Sequence, residues 1–265
     1  MLAASTTTRG TAQQAQAGSS RASGTGNRTD IRMSLLNRLL SPFKEFGLLS
    51  GVLYILDQLC LRQRSRFRVF DYDLMVQPVA DKPMAPANLT KSFEVRRIDQ
   101  DDPLLHHFPP PPEIIADRYR QGSVCLGAFR KGEFVGYQWL QFGPYEEDEV
   151  RCTFVPGPAN EVVFDYDFYL FPEHRLGLAF VALWDAANAF LRERDISYTA
   201  SRVSRFNLVS RKSHQHFNWQ KTARAVFFTG KRGQLMFCSR APFVHLSFST
   251  TNRPQLHIDA ISGST

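Results

Sequence analysis

Residues 162–180 read VVFDYDFYLFPEHRLGLAF, and the change of period inside this stretch decides the fold. Val162, Phe164, Tyr166, Phe168 and Leu170 alternate with Val163, Asp165, Asp167, Tyr169 and Phe171. A period of two puts the two sets on opposite faces of a long strand, spanning Glu161–Phe171. Asp165 and Asp167 then share one face, where like-charge repulsion would raise one carboxyl pKa toward neutrality. From Phe180 the period lengthens. Leu183, Trp184, Ala187, Phe190 and Leu191 mark an amphipathic helix over Phe180–Glu193. Between strand and helix lies Pro172-Glu173-His174-Arg175-Leu176-Gly177-Leu178-Ala179. A helix N-terminus offers free backbone N–H groups and a favourable dipole to an anion. Gly177 and Ala179 keep side chains away from such a ligand, and Arg175 can add a charged donor. An ordinary strand-to-helix turn would account for Gly177 equally well.

Working outward, the pattern stays mixed. Tyr198–Val203 predicts a strand, Leu208–Phe217 a helix, and Ala223–Thr229 and Gln234–Ser239 closing strands. Upstream, Phe93–Ile98 predicts a strand, residues 103–112 a proline-rich irregular stretch, and Glu113–Arg120 a short helix. Ser123–Arg130 and Phe134–Phe142 predict a hairpin through the turn Arg130-Lys131-Gly132-Glu133. The acidic run Tyr145–Glu149 leads into a strand at Val150–Phe154, and Gly157-Pro158 marks a loop. Pro109 to Pro112 predicts a stiff polyproline segment beside a cleft.

This order of elements resembles the GNAT superfamily of acyl-CoA N-acyltransferases over about half the chain. Three stretches carry the resemblance: the turn His174-Arg175-Leu176-Gly177-Leu178-Ala179, the long strand before it, and Asn207-x-x-Ser210-x-x-x-His214-x-x-Phe217-Asn218-Trp219. The resemblance implies an α/β (α+β) fold with a mixed, mostly antiparallel central sheet flanked by helices. It implies acetyl-CoA or another acyl-CoA as co-substrate, its diphosphate held by His174, Arg175, Leu176, Gly177, Leu178 and Ala179. His174 stands where the family usually has Gln or Arg. The pantetheine arm would pair with Tyr169, Leu170 and Phe171, with Asn207 and Ser210 toward the cofactor. A carboxylate on the long strand, Asp165 or Asp167, would serve as general base for the acceptor amine, with Glu149 and Glu147 as lower-ranked alternatives. Backbone N–H groups at the strand's end would stabilise the oxyanion. His214 falls where the family carries the Tyr that protonates the leaving thiolate, and an imidazole can do the same. The implied acceptor is a small-molecule or peptide amine. A GNAT-fold binding or assembly module without catalysis is the competing reading, since fold alone does not fix function.

Domain organisation follows from composition. Residues 1–30 are rich in Ser, Thr, Ala, Gly and Gln, with too little apolar surface to offset their ordering entropy, and predict a disordered tail. Residues 31–91 predict a helical extension and linker, 92–240 the GNAT-like domain and 241–265 a C-terminal tail. Within the extension Leu35, Leu36, Leu39 and Leu40 precede Pro42, and a second helical run continues to Cys60. Arg62, Arg64, Arg66 and Arg68 follow directly. Two readings stand for residues 35–61: a helical pair packed on the main domain or on a second subunit, and a peripheral membrane contact backed by positive charge. Residues 69–79 predict an edge strand. Net charge is +7, and no nucleic-acid motif accompanies it, so no nucleic-acid partner is expected. Arg202, Arg205, Arg211 and Lys212 either meet cofactor phosphates or form a surface patch. Cys60, Cys125, Cys152 and Cys238 are far apart and read as reduced thiols in a cytoplasmic protein, with no metal site. The longest apolar stretch, Phe46 to Leu61, is short for a membrane span and contains Asp57.

Overall fold

The computed structural model describes residues 41–175, 177–215 and 218–260, without the side chains of 213–215. Leu176, the side chain of His214 and the leucines at 35, 36, 39 and 40 lie outside the described residues. After a helical segment over 41–46 come α1 (Leu48–Arg62), β1 (Arg68–Pro78), α2 (Ala87–Thr90) and β2 (Phe93–Ile98). A 3-10 turn at Pro103–His107 precedes α3 (Pro112–Arg120), β3 (Val124–Arg130), β4 (Glu133–Gln141), β5 (Tyr145–Glu146), β6 (Thr153–Gly157) and β7 (Val162–Leu170). Then follow a 3-10 turn at Pro172–His174, α4 (Ala179–Arg192), β8 (Tyr198–Ser204), α5 (Leu208–Gln215), β9 (Gln220–Thr229), β10 (Gln234–Cys238), β11 (Val244–Ser247) and β12 (Gln255–Asp259). The fold is the expected mixed α+β one. A nine-stranded sheet runs β11-β10-β9-β1-β8-β7-β4-β3-β2, and every neighbouring pair in it is antiparallel except β7–β8. A three-stranded sheet, β12-β6-β5, packs on one face of it.

The two faces of the large sheet bury different chemistry. On one, Tyr72, Tyr137, Trp139, Phe164, Tyr166 and Phe227 form an aromatic core shared with Tyr145 and Phe154 of the small sheet. On the other, α4 lays Ala179, Leu183, Ala187 and Leu191 against Leu126, Leu140, Val163 and Leu170. The i, i+4 spacing of these residues puts them on one helix face, and the alanines let the helix approach closely.

Three expectations are corrected here. Strand β1 is not at an edge; it lies between β8 and β9 and pairs along its length with both. Its Asp71 and Asp73 are buried and neutralised. Arg224 donates twice to Asp71 (2.8 Å each) and Arg205 twice to Asp73 (3.0 and 2.9 Å). Helix α1 covers these pairs. Its buried Ser50 accepts from both arginines, and its buried Asp57 accepts from Arg68 Nε and the Val69 N–H. The stretch expected as a C-terminal tail supplies β11 to the large sheet and β12 to the small one. The strand expected at Val150–Phe154 begins only at Thr153, because Glu147 N–H donates to Cys152 O and Cys152 N–H to Val150 O, closing a tight loop.

Candidate functional site

Strands β7 and β8 are parallel and part company. They pair from Val162↔Tyr198 to Asp165↔Ser201, and β7 then runs on to Leu170 and β8 to Ser204 without pairing. The opening lies beyond the carboxyl ends of a parallel pair, each of which feeds a helix. This is the place where open α/β sheets receive ligands.

Asp165 sits at the fork. It is 4% exposed; Gln138 Nε2 donates to one oxygen (2.7 Å) and Ser201 Oγ to the other (3.0 Å). Burial raises its carboxyl pKa to about 6, and the two hydrogen bonds oppose that rise. Asp167, expected on the same face, is on the opposite one. The ladder with β4 pairs Trp139 with Tyr166 and Tyr137 with Tyr169, so Asp167 and Phe168 together face Gln138. Asp167 has a positive φ of 48°. This is a β-bulge, and the extra residue reverses the phase of the strand. Asp165 therefore looks to the α4 side, while Asp167 joins the aromatic face. Repulsion between the two carboxylates is not what shifts Asp165; burial is.

On the aromatic face Asp167 meets Arg118, whose other nitrogen donates to Asp148 (2.8 Å); Tyr137 Oη lies 3.5 Å from Asp167. Burial works to raise the Asp148 carboxyl, but the Arg118 and Arg202 charges and its hydrogen bonds together outweigh burial and hold that group low. The acidic run is thus no solvated loop. Glu147 is buried and takes a two-pronged contact from Arg202 (2.6 and 2.9 Å). Arg202 Nη2 also lies 2.9 Å from Glu149, which accepts from Tyr72 Oη at 2.9 Å. Burial nonetheless pushes the Glu147 carboxyl up. Phe108, from the loop before the prolines, stacks on Tyr137 with centroids 4.1 Å apart and roofs this face. Arg118, Gln138, Ser201 and Tyr72 were missed because no local pattern distinguishes them. Only the register of four separated strands and α3 brings them together.

On the other side of the fork, α4 begins without a side-chain cap at Leu178, so its first N–H groups have no acceptor from that residue. A Cβ built on Gly177 meets nothing within 4 Å. The protein's own packing therefore does not require glycine there, and its bareness keeps the turn open. Arg175 is turned back: its Nε donates to Leu170 O at 2.9 Å and its guanidinium lies over the Tyr169 ring. Phe171 N–H is taken by Val135 O. His174 is mostly covered, with Nε2 3.7 Å from Glu133. Asn207 caps α5, its Oδ1 accepting the Ser210 N–H at 3.0 Å. Arg202 and Arg205, expected either at cofactor phosphates or in a surface patch, are committed to internal carboxylates.

No protein-family model matches the chain, and no curated protein matches it. Solved structures do resemble it. A tandem GNAT protein from the clavulanic acid biosynthesis pathway aligns at 12% identity and TM-score 0.42, covering 64% of this chain and 56% of its own. A putative GNAT-family acetyltransferase from Novosphingobium aromaticivorans aligns at 13% identity and TM-score 0.41, covering 69% and 66%. The ribosomal-protein-alanine N-acetyltransferase of Brucella melitensis biovar Abortus aligns at 17% identity and TM-score 0.36, covering 47% and 89%. The chain spans just over half the length of the tandem protein. These are partial likenesses.

Proposed function

We propose that the protein is an N-acyltransferase that moves an acetyl or longer acyl group from acyl-CoA to an amine by direct attack on the thioester. The observation that carries this reading is the fork between β7 and β8, flanked by the uncapped start of α4 and the open turn at Gly177. Its donor set suits a diphosphate: backbone N–H groups of Gly177 to Phe180, with Arg175 able to swing out from Leu170 O. When bound, the thioester supplies the activated acyl carbon. Backbone N–H groups at the Asp167 bulge would donate to an oxyanion.

The acceptor would approach over the aromatic face, where Asp167, Asp148 and Glu149 give a negative rim attractive to a protonated amine. Asp167 and Glu149 are the preferred bases, because each keeps partial exposure while Asp165 is enclosed. Asp165 is better placed to hold the fork open than to receive a proton. His214 remains the proposed acid for the departing thiolate.

One observation favours a binding module instead: Asp165, Asp167, Glu149 and Glu147 are already engaged, by Gln138 and Ser201, by Arg118, by Arg202 and Tyr72, and by Arg202. The two readings separate in an assay of free thiol released from acetyl-CoA against a panel of primary amines. Amine-dependent thiol release above the hydrolysis rate, lost in Asp167→Asn or Glu149→Gln, supports the enzyme. Binding of acetyl-CoA without release under any amine supports the module.

A further inference from the structure

Helix α1 docks on the sheet with a polar face and turns an apolar one outward. Ser50, Leu53 and Asp57 are buried, whereas Leu49, Val52, Leu56 and Leu59 are 58%, 50%, 37% and 48% exposed. Their i, i+3, i+7, i+10 spacing makes a continuous stripe. A second apolar area is formed with the segment that follows α1 in the chain. Directly after α1, Phe67 stacks near Phe228 of β9 with centroids 6.2 Å apart. Beside them a groove is lined by Leu235, Phe237 and Leu246 from β10 and β11. Phe237 and Leu246 are 44% and 52% exposed. Apolar side chains exposed in groups of this kind mark surfaces that receive a partner.

The charge where α1 ends and beside the groove has one sign. Arg62, Arg64 and Arg66 are exposed on the segment between α1 and β1. Arg68 pairs with Thr229, so that segment lies beside the β9–β10 turn, which carries exposed Lys231 and Arg232. No Asp or Glu occurs in residues 58–70 or in residues 196–258. A second copy of the same face would set these cations against one another, and a nucleic acid would leave the leucine stripe without a partner.

We infer that the outer face of α1 and the groove between Phe67 and β10 form a docking surface for an anionic phospholipid bilayer. The leucine stripe enters the headgroup–acyl boundary, and the five cations meet lipid phosphates and carboxylates at its edge. No helix of the described residues is long and apolar enough to cross a membrane, so the contact is one of lying on the surface.

The test is co-sedimentation of the full chain with phosphatidylcholine vesicles, with and without phosphatidylserine. Binding is expected only with phosphatidylserine and should weaken at about 1 M salt, where the Debye length is roughly 3 Å. Val52→Ser with Leu56→Ser, outward positions that leave the melting temperature unchanged, should abolish binding. Arg62→Gln, Arg64→Gln and Arg66→Gln together should weaken it roughly 100-fold, at about 1 kcal/mol per cation. Binding to neither vesicle, equal binding to both, or binding that survives the serine pair overturns the inference. So does a concentration-dependent dimer broken by the serine pair, or RNA binding that needs the arginines but not the leucines.

Discussion

Replacing Arg202 by methionine would leave Glu147 with no charged partner in a site where its side chain has 0% exposure. Arg202 is 14% exposed, and it supplies the two contacts at 2.6 and 2.9 Å that hold Glu147, plus the 2.9 Å contact to Glu149. Removing one partner of such a pair costs about 3–5 kcal/mol, because the remaining charge stays desolvated. Only the Asp148 and Glu149 N–H groups, at 3.1 and 3.3 Å, would still donate to Glu147. In a chain of this size that cost lowers the melting temperature by roughly 6–20 °C. The effect has a pH signature. Burial already raises the Glu147 carboxyl, and loss of Arg202 raises it further. A carboxyl with a raised folded-state pKa stabilises least where it must ionise, so the deficit is largest near pH 8. It shrinks near pH 5 to about 1–3 kcal/mol, the cost of unmade hydrogen bonds. Urea unfolding at the two pH values reads this directly. Adding Glu147→Gln should recover part of the loss at pH 8. A deficit under about 1 kcal/mol, or one equal at both pH values, would refute the argument that Glu147 is an enclosed charge held by Arg202.

Three further outcomes follow from the same geometry. Asp165 rises from 3.8 to about 6 on burial, so its contribution to stability is fully present below the unfolded value and is lost as pH rises through the folded one. Asp165→Asn should therefore flatten that window, a change of about 2 kcal/mol in urea unfolding between pH 4 and 7. Gly136→Ala should destabilise by about 1–3 kcal/mol in thermal unfolding, because its Cβ would lie 2.3 Å from Tyr169 O, a backbone atom that cannot step aside. Phe108→Ala should cost about 3–5 kcal/mol in the same measurement, through loss of a buried ring stacked on Tyr137.

Most strands and helices after residue 92 were legible because their periods are clean: two in Val162–Leu170, near 3.6 in Ala179–Arg192. The bulge was not legible. Nothing in Asp165-Tyr166-Asp167 marks a positive φ, and alternation alone puts both carboxylates together. The place of β1 was hidden for a related reason. Asp71 and Asp73 fit a central strand only because Arg205 and Arg224, more than a hundred residues away, neutralise them. The same holds for the acidic run, whose buried partners Arg118 and Arg202 come from α3 and β8. Turn chemistry at Gly177 was readable; the direction of the Arg175 side chain was not, because it depends on the carbonyl left free at the end of β7.

The central claim is that the turn at Gly177 and the start of α4 hold the diphosphate of an acyl-CoA. Thermal unfolding with acetyl-CoA, set beside the same experiment on Gly177→Glu, tests it most directly. A ligand at 100 times its Kd stabilises the folded state by about 2.7 kcal/mol, a rise of roughly 5–10 °C here. The glutamate has open space at that position, so the variant should melt as the parent does without ligand and show no rise with it. An unchanged melting temperature for the parent at millimolar acetyl-CoA, or an equal rise in the variant, would contradict the claim.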